Sequence, residues 1–402
     1  MDRGDTRLRA MTTPACSLRL RHGLAVGAFA CAGLAGHAAA AAQAFVPQDI
    51  EICAAEFDVV DPEFDVDGSQ LAYMTTAGEV RVARMRTDGF VDAPGCAGEL
   101  VGRDAIWTLP DKTYRQGPEW ALSQSGPELF YTKSLPDDRF ALVSARRDDQ
   151  GWQSNVLTRG ENRGMQITSK DAADPQSRVM YLRRNAAGKY VPSWRESTLP
   201  KTEASLPVTG NASSGGVPRW VPGERQMSTA ALDDAGVYQA AVVSIDDRSV
   251  RLLTTGPDNK DEVWLWRAPE FGGDWAMISV IDSCCLRIYR EVNGIFREVN
   301  SYDVRALSGL SKIYSPEPFV VGGRSYISFQ ASNIKLDKKA QIWFVAADPA
   351  APLARQVSDA SVRAVRIEPE WLVTASGVFI YYTQYDSLKR SALRRAATGI
   401  PY

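Results

Sequence analysis

Histidine is almost missing from this 402-residue chain. There are two, His22 and His37, and both fall in a stretch that reads as a cleavable leader, so the body of the chain has none. Ser-His-Asp and Cys-His catalysis are therefore excluded, as are histidine-ligated zinc and the two-histidine carboxylate iron site. Any general acid or base has to be Asp, Glu, Tyr, Lys or Cys. Beyond the leader the chain also lacks any apolar run long enough to span a bilayer. It lacks an excess of positive charge as well. Without the five Lys/Arg and two Asp/Glu of residues 1–44, the 46 basic and 48 acidic residues of the whole chain become 41 and 46. A mildly acidic body gives no reason to expect nucleic acid or an acidic membrane as partner. No phosphate-binding glycine loop, dinucleotide fingerprint or CxxC motif occurs.

The leader has three parts. Arg7, Arg9, Arg19, Arg21 and His22 are basic, Gly23 to Gly36 is apolar, and Ala42-Gln43-Ala44 makes a peptidase site, with Phe45 as the mature start. This is the pattern of a secretory signal peptide, which predicts a periplasmic or secreted protein. Four of the six cysteines follow it: Cys53, Cys96, Cys284 and Cys285. In an oxidising compartment Cys53 and Cys96 can tie the N-terminal segment to the first repeat. The neighbours Cys284 and Cys285 fit either a vicinal disulfide or two small buried residues on a strand. Sequence leaves the connectivity open.

What the chain does have is a repeat. Pro62-Glu63-Phe64, Pro118-Glu119-Trp120, Pro269-Glu270-Phe271, Pro316-Glu317-Pro318-Phe319 and Pro369-Glu370-Trp371 share one signature, and Pro218-Arg219-Trp220 is a sixth copy with arginine for glutamate. The prolines are spaced by 56, 100, 51, 47 and 53 residues, so a degenerate copy belongs near Ile167-Thr168, making seven. Turn pairs then lead into apolar runs, as in Asp67-Gly68 before Leu71 to Met74 and Ser376-Gly377 before Val378 to Tyr381. Third strands follow at Val80 to Met85, Phe140 to Ala145, Tyr238 to Ile245 and Gln341 to Ala346. Long amphipathic helices are missing. A repeating unit of this length, made of strands, predicts an all-β chain folded over 45–402 as a single β-propeller, with seven blades the best count and six to eight compatible. Pro369 to Tyr402 is about one strand short of a blade. The strand-like stretch Ile52 to Val60 is expected to supply that missing outer strand and close the ring.

The signature resembles the repeats of TolB-type periplasmic propellers, in which a proline-aromatic pair precedes a turn and a strand ending in tyrosine or phenylalanine. Gly117-Pro118-Glu119-Trp120-Ala121-Leu122-Ser123-Gln124-Ser125-Gly126 is the best copy. The resemblance implies a propeller over nearly the whole mature chain. Asp61-Pro62, Gly117-Pro118-Glu119 and Ser315-Pro316-Glu317 are also similar to motifs of five-bladed arabinanase- and levanase-type glycoside hydrolases, which use carboxylates at the starts of inner strands. Because the period predicts seven blades, catalytic roles are not carried over.

If each signature opens the innermost strand of its blade, Glu63, Glu119, Glu270, Glu317 and Glu370 form a carboxylate ring at one mouth of the channel, with Arg219 as the one opposite charge. Such a ring suits a divalent cation such as calcium, the hydroxyls of a sugar, or an acid-base pair, for which Glu119 and Glu270 are the candidates. The competing reading is packing, with each glutamate accepting backbone N–H groups from the next blade. The aromatics of the signature are expected between blades. Trp264, Trp266 and Trp275 suit either burial or a sugar-stacking platform. The acidic pairs Asp137-Asp138, Asp148-Asp149, Asp233-Asp234 and Asp246-Asp247 read as solvated turns. Asn211-Ala212-Ser213 is a formal glycosylation sequon, and Pro200 to Gly216 reads as a long exposed loop. The expected function is binding of a protein or saccharide ligand at one face of the ring. The alternative is a glycan-acting hydrolase or lyase, and no resident cofactor is required.

Overall fold

The second strand of each repeat is an almost unbroken apolar run, such as Leu71-Ala72-Tyr73-Met74, and all four of those residues are buried. A strand reads this way only when both its faces are covered. Here each sheet is sandwiched between two others. The fourth strands, such as Gly151–Val156 and Val250–Leu252, lie at the outer edge and are largely exposed.

The computed structural model describes residues 49–402 apart from 55–57, 107–115, 137–138, 159–165, 189, 200–201, 209–216 and 388–389. The leader, Asp137-Asp138, the sequon and most of the 200–216 segment lie outside the described residues. Part of that segment is not an exposed loop. Ala204–Ser205 is the fourth strand of its sheet, and Leu206 and Val208 are buried, because the short apolar residues in the Ser/Thr-rich run face the next blade.

Seven four-stranded antiparallel sheets make up the described chain. Blade 1 runs from strand Val60–Phe64 to Glu99–Gly102, blade 2 from Glu119–Ser123 to Gly151–Val156, and blade 3 from Ile167–Thr168 to Ala204–Ser205. Blade 4 runs from Arg219–Trp220 to Val250–Leu252, blade 5 from Lys260–Ala268 to Ile295–Asp303, and blade 6 from Lys312–Val321 to Ala354–Gln356. Blade 7 contributes Val365–Thr374, Gly377–Ser387 and Arg390–Ala397, and takes its outermost strand, Asp49–Cys53, from the other end of the chain. The chain is a seven-bladed β-propeller closed by its N-terminal strand, as the repeat predicts, but that strand is Asp49–Cys53 rather than Ile52 to Val60, and Val60 opens the first strand of blade 1. The described part contains one α-helix, the short Val304–Ser308, and no helix there is long and apolar enough to cross a membrane.

Each of the seven blade interfaces has its own apolar cluster. Between blades 7 and 1, Phe64 meets Tyr381 edge-on with ring centroids 4.7 Å apart. Between blades 6 and 7, Phe319 stacks on Trp371 at 5.4 Å, and between blades 3 and 4 Trp194 meets Trp220 at 6.3 Å. Most aromatics of the signature are thus inter-blade core, each fully buried one worth roughly 1.5–3 kcal/mol. Phe64, Trp120 and Phe319 are buried and Trp220 and Trp371 half-buried.

The closing strand is held by more than its ladder. Asp49 accepts from Arg394 (2.9 Å) and from the Tyr382 hydroxyl. Cys53 is disulfide-bonded to Cys96, in the turn between the third and fourth strands of blade 1. The Tyr73 hydroxyl, on the second strand of blade 1, donates to the Cys96 carbonyl at 2.6 Å.

Candidate functional site

The first strands of neighbouring blades touch around the ring: blade 1 with blades 7 and 2, blade 2 with 3, 3 with 4, 5 with 6 and 6 with 7. They are therefore the innermost strands and line the axis. In blades 1, 5, 6 and 7 this strand is interrupted by a bulge. The regular register breaks between Val60 and Glu63, Asp261 and Trp264, Tyr314 and Glu317, and Ile367 and Glu370. The first residue inside each break has left-handed backbone, with φ of 50° at Asp61, 50° at Glu262, 46° at Ser315 and 56° at Glu368. In three of the four the second residue is proline (Pro62, Pro316, Pro369), which has no N–H to give to the ladder. A bulge of this kind re-aims the side chains beside it. In blades 1, 6 and 7 the repeated proline thus sits inside the bulge, where no N–H is required.

The register identifies the equivalent position in every blade. Glu63, Glu119, Ile167, Arg219, Trp264, Glu317 and Glu370 pair with Ala72, Phe130, Met180, Ser228, Ile278, Ser328 and Tyr381. Five of the six residues expected in the ring are brought together here. In blades 1, 6 and 7 they lie inside the strand rather than at its start, since those strands begin at Val60, Lys312 and Val365.

Glu270 is not among them. Pro269–Phe271 forms a 3-10 turn after the first strand of blade 5, and Trp264 holds the ring position in its place. Proline suits the first position of such a turn. Glu270 instead accepts from Ser325 Oγ (2.9 Å), which accepts in turn from Trp266 Nε1 (2.8 Å), making a polar contact between blades 5 and 6. The three tryptophans form no common platform. Trp266 is buried against blade 6, and Trp275 packs at the interface of blades 4 and 5 under Arg267. Only Trp264 belongs to the ring, with the Arg219 guanidinium 4.5 Å from its ring centroid.

The structure adds residues that motif reading missed. Lys170, two residues past Thr168, forms an ion pair with Glu63, whose side chain is 9% exposed. Asp61, Glu262 and Glu368, the left-handed bulge residues, form a second acidic level, and Lys335 from blade 6 interacts electrostatically with Asp61 and Glu262. The acid-Pro-Glu triplets Asp61-Pro62-Glu63 and Glu368-Pro369-Glu370 carried a signal for two of these. Nothing in the sequence around Lys170 or Lys335 did. Gln116 donates to Glu119 and to the Gln166 carbonyl, while Gln166 donates to the Gly117 carbonyl, tying blades 2 and 3 together behind the ring.

The carboxyls are not equivalent. Burial raises the proton affinity of Glu119 well above the carboxylate range, and the charge of Glu63 adds to it. Burial does the same to Glu370, with Glu317 and Glu63 adding to it. Glu317 is pushed up to about 7, chiefly by burial and against the pull of Arg219, and its carboxyl is hydrogen-bonded to that of Glu370. Asp61 is raised by burial and by Glu368. Burial alone would lower the proton affinity of Lys170, but Glu63, Glu119 and Glu370 outweigh it and raise it. The site therefore combines an ammonium, a guanidinium and carboxyls of unequal proton affinity, of which Glu317 stands between its protonated and ionised forms at neutral pH. Arg219 Nε and Trp264 Nε1 are buried donors without a hydrogen-bond partner among the described residues. No three channel carboxylates among the described residues bring oxygens within 4.8 Å of one another. A separate groove of about 590 Å³ between blades 1 and 2, lined by Gln70, Arg84, Glu99 and Arg147, is remote from this chemistry.

Fold and site together define a seven-bladed propeller with an acid-rich, mixed-charge lining on its axis. No protein-family model matches the chain, and no curated protein is similar to it in sequence. Solved structures share the fold. The β-propeller domain of Swd1 (Cps50) from Myceliophteria thermophila is 9% identical with a TM-score of 0.51, covering 86% of this chain and 98% of that one. An oligogalacturonate lyase in complex with manganese is 15% identical with a TM-score of 0.50, covering 86% and 89%. TolB from Acinetobacter baumannii is 13% identical with a TM-score of 0.43, covering 74% and 66%. Likeness at this level is one of fold. The TolB resemblance of the repeats is distant, and seven blades separate this chain from the five-bladed hydrolases.

Proposed function

We propose that this propeller binds a saccharide on its axis. The observation that carries the reading is the Glu317–Glu370 carboxyl pair in one ring with the Lys170–Glu63 ion pair. Sugar hydroxyls donate and accept at once, and so does a mixture of protonated and ionised carboxyls. The orphan donors of Arg219 and Trp264 call for acceptors. The Cys53–Cys96 disulfide supports an oxidising compartment and with it the leader at 1–44 and a periplasmic or secreted location.

The test is a thermal-shift and calorimetric screen of neutral, amino and uronic oligosaccharides, with calcium as a separate arm. A hundredfold excess over Kd stabilises by about 2.7 kcal/mol. Lys170→Met and Glu370→Gln are expected to remove the shift. Silence from every saccharide at millimolar concentration overturns the reading, and a calcium response alone transfers the site to a cation. If a protein partner binds and both variants still bind it, the axis is not the ligand site.

A second reading, a glycan-acting enzyme, is favoured by one observation: neighbouring carboxyls with unequal surroundings are what an acid-base pair needs. Glu317 and Glu370 replace the pair Glu119 and Glu270 in this role. In this reading Glu317→Gln abolishes turnover of a bound oligosaccharide while binding persists. Unchanged turnover removes it.

A further inference from the structure

The hairpin joining the second and third strands of blade 5 turns through Asp282 (φ 50°) and Ser283 (φ 62°). The Cys284 N–H donates to the Ile281 carbonyl at 3.0 Å. The turn delivers Cys284 and Cys285 side by side, with their sulfurs 2.8 Å apart, well inside non-bonded contact. Cys284 is 3% exposed and Cys285 is half-buried. The carboxylate of Asp303 completes a group whose ligand atoms all lie within 4.8 Å of one another. Asp303 also caps the helix Val304–Ser308, accepting from the Arg305 N–H at 2.8 Å.

We propose that Cys284 and Cys285 are a reversible redox site that closes to a vicinal disulfide. Two other uses of such a pair fit less well. A tetrahedral metal holds each thiolate at about 2.3 Å, and two sulfurs around it stand much farther apart than these do. A nucleophilic thiolate needs a positive surrounding. Here burial, the neighbouring thiol and Asp303 push the Cys285 thiol up to about 12. Disulfide exchange draws only transiently on the small thiolate fraction that such a thiol keeps, which makes closure slow but does not forbid it, and closure relieves the sulfur contact. The step balances with a small-molecule disulfide as oxidant. Cys285, the accessible sulfur, loses its proton and attacks the oxidant, expelling one thiolate and forming a mixed disulfide. Cys284 then loses its proton and displaces the second thiolate. Two electrons and two protons pass to the oxidant, which leaves as two thiols.

The pair is wired to the neighbouring blade. The Ser283 carbonyl accepts from the Ile313 N–H at 2.7 Å, and the Cys284 carbonyl accepts from the Val304 N–H at 3.0 Å. Ile313 is the second residue of the strand Lys312–Val321, which carries Glu317. Closing an eight-membered ring around the Cys284–Cys285 peptide reorients the carbonyl bonded to Val304 and shifts the turn that holds Ile313.

The experiment is a glutathione redox titration of the whole protein, followed by acid quench, alkylation and mass spectrometry of the tryptic peptide 268–287. That peptide contains Cys284 and Cys285 as its only cysteines. The expected result is a loss of two hydrogen masses at oxidising ratios. The change should reverse under a ratio at which Cys53–Cys96 stays closed, since a strained pair is the easier to reduce. Two alkylated thiols at the most oxidising ratio overturn the proposal, as does a stable glutathione adduct or a cross-link between molecules. Hydrogen exchange reads the coupling. The Ile313 and Val304 amides are expected to exchange at different rates in the two redox states, and identical rates overturn that part.

Discussion

Glu317 shows how a buried carboxyl governs stability. Its ordinary value is about 4.3, and in the folded protein it is pushed up to about 7 by burial. Below the lower value it is protonated whether folded or not. Between the two, the folded chain keeps a proton that the unfolded chain has released, so stability falls as pH rises through this window and levels off above it. Glu119, Glu370 and Asp61 are raised in the same direction and extend the decline upward. The melting temperature is therefore expected to drop from about pH 5 to about pH 8, and Glu317→Gln is expected to flatten the slope. A variant with the wild-type slope, followed by circular dichroism, rules out this assignment. Glu262 allows a complementary measurement. A side chain held at φ 50° costs of order 1–3 kcal/mol, partly offset by the entropy that glycine loses on folding. Glu262→Gly is expected to gain up to about 1 kcal/mol in urea denaturation. A loss would mean that the side chain itself holds the bulge.

The elements differ in how clearly they announced themselves. Second strands are buried on both faces and read as continuous apolar runs, so Val179 to Leu182 revealed blade 3 even where its signature had decayed to Ile167-Thr168. Fourth strands such as Glu99–Gly102 and Val250–Leu252 are short and solvated, and carry almost no pattern. Blade 5 misled for a physical reason. Pro269 is followed by an apolar second strand, Asp274–Ile281, like the true copies, but it comes after Val263-Trp264-Leu265-Trp266, which already form the first strand. Val263 keeps its N–H where the other bulges have proline, so the bulge in blade 5 has no proline to mark it. The closing strand was legible from arithmetic on the chain ends, and its disulfide makes a strong prediction. Cys53–Cys96 closes a loop of 43 residues, and Cys53→Ser is expected to cost about 2–4 kcal/mol, read as a lower urea midpoint. No change would mean that the ladder and Asp49 suffice alone.

At the scale of the molecule, every blade covers both faces with its neighbours, and the seven interfacial clusters form an unbroken circle. No blade has a core of its own. Unfolding is therefore expected to be a single transition, with far-ultraviolet dichroism and tryptophan fluorescence coinciding over the denaturant range. Separated midpoints would mean that some blades open independently.

The last sheet is assembled from the two extremities of the polypeptide, three strands from one and the fourth from the other. During synthesis the opening strand waits, unpaired, until its partner Arg390–Ala397 has emerged. Until then the incomplete arc presents bare apolar flanks at both ends. Productive folding is thus a matter of protecting those flanks until the clasp fastens.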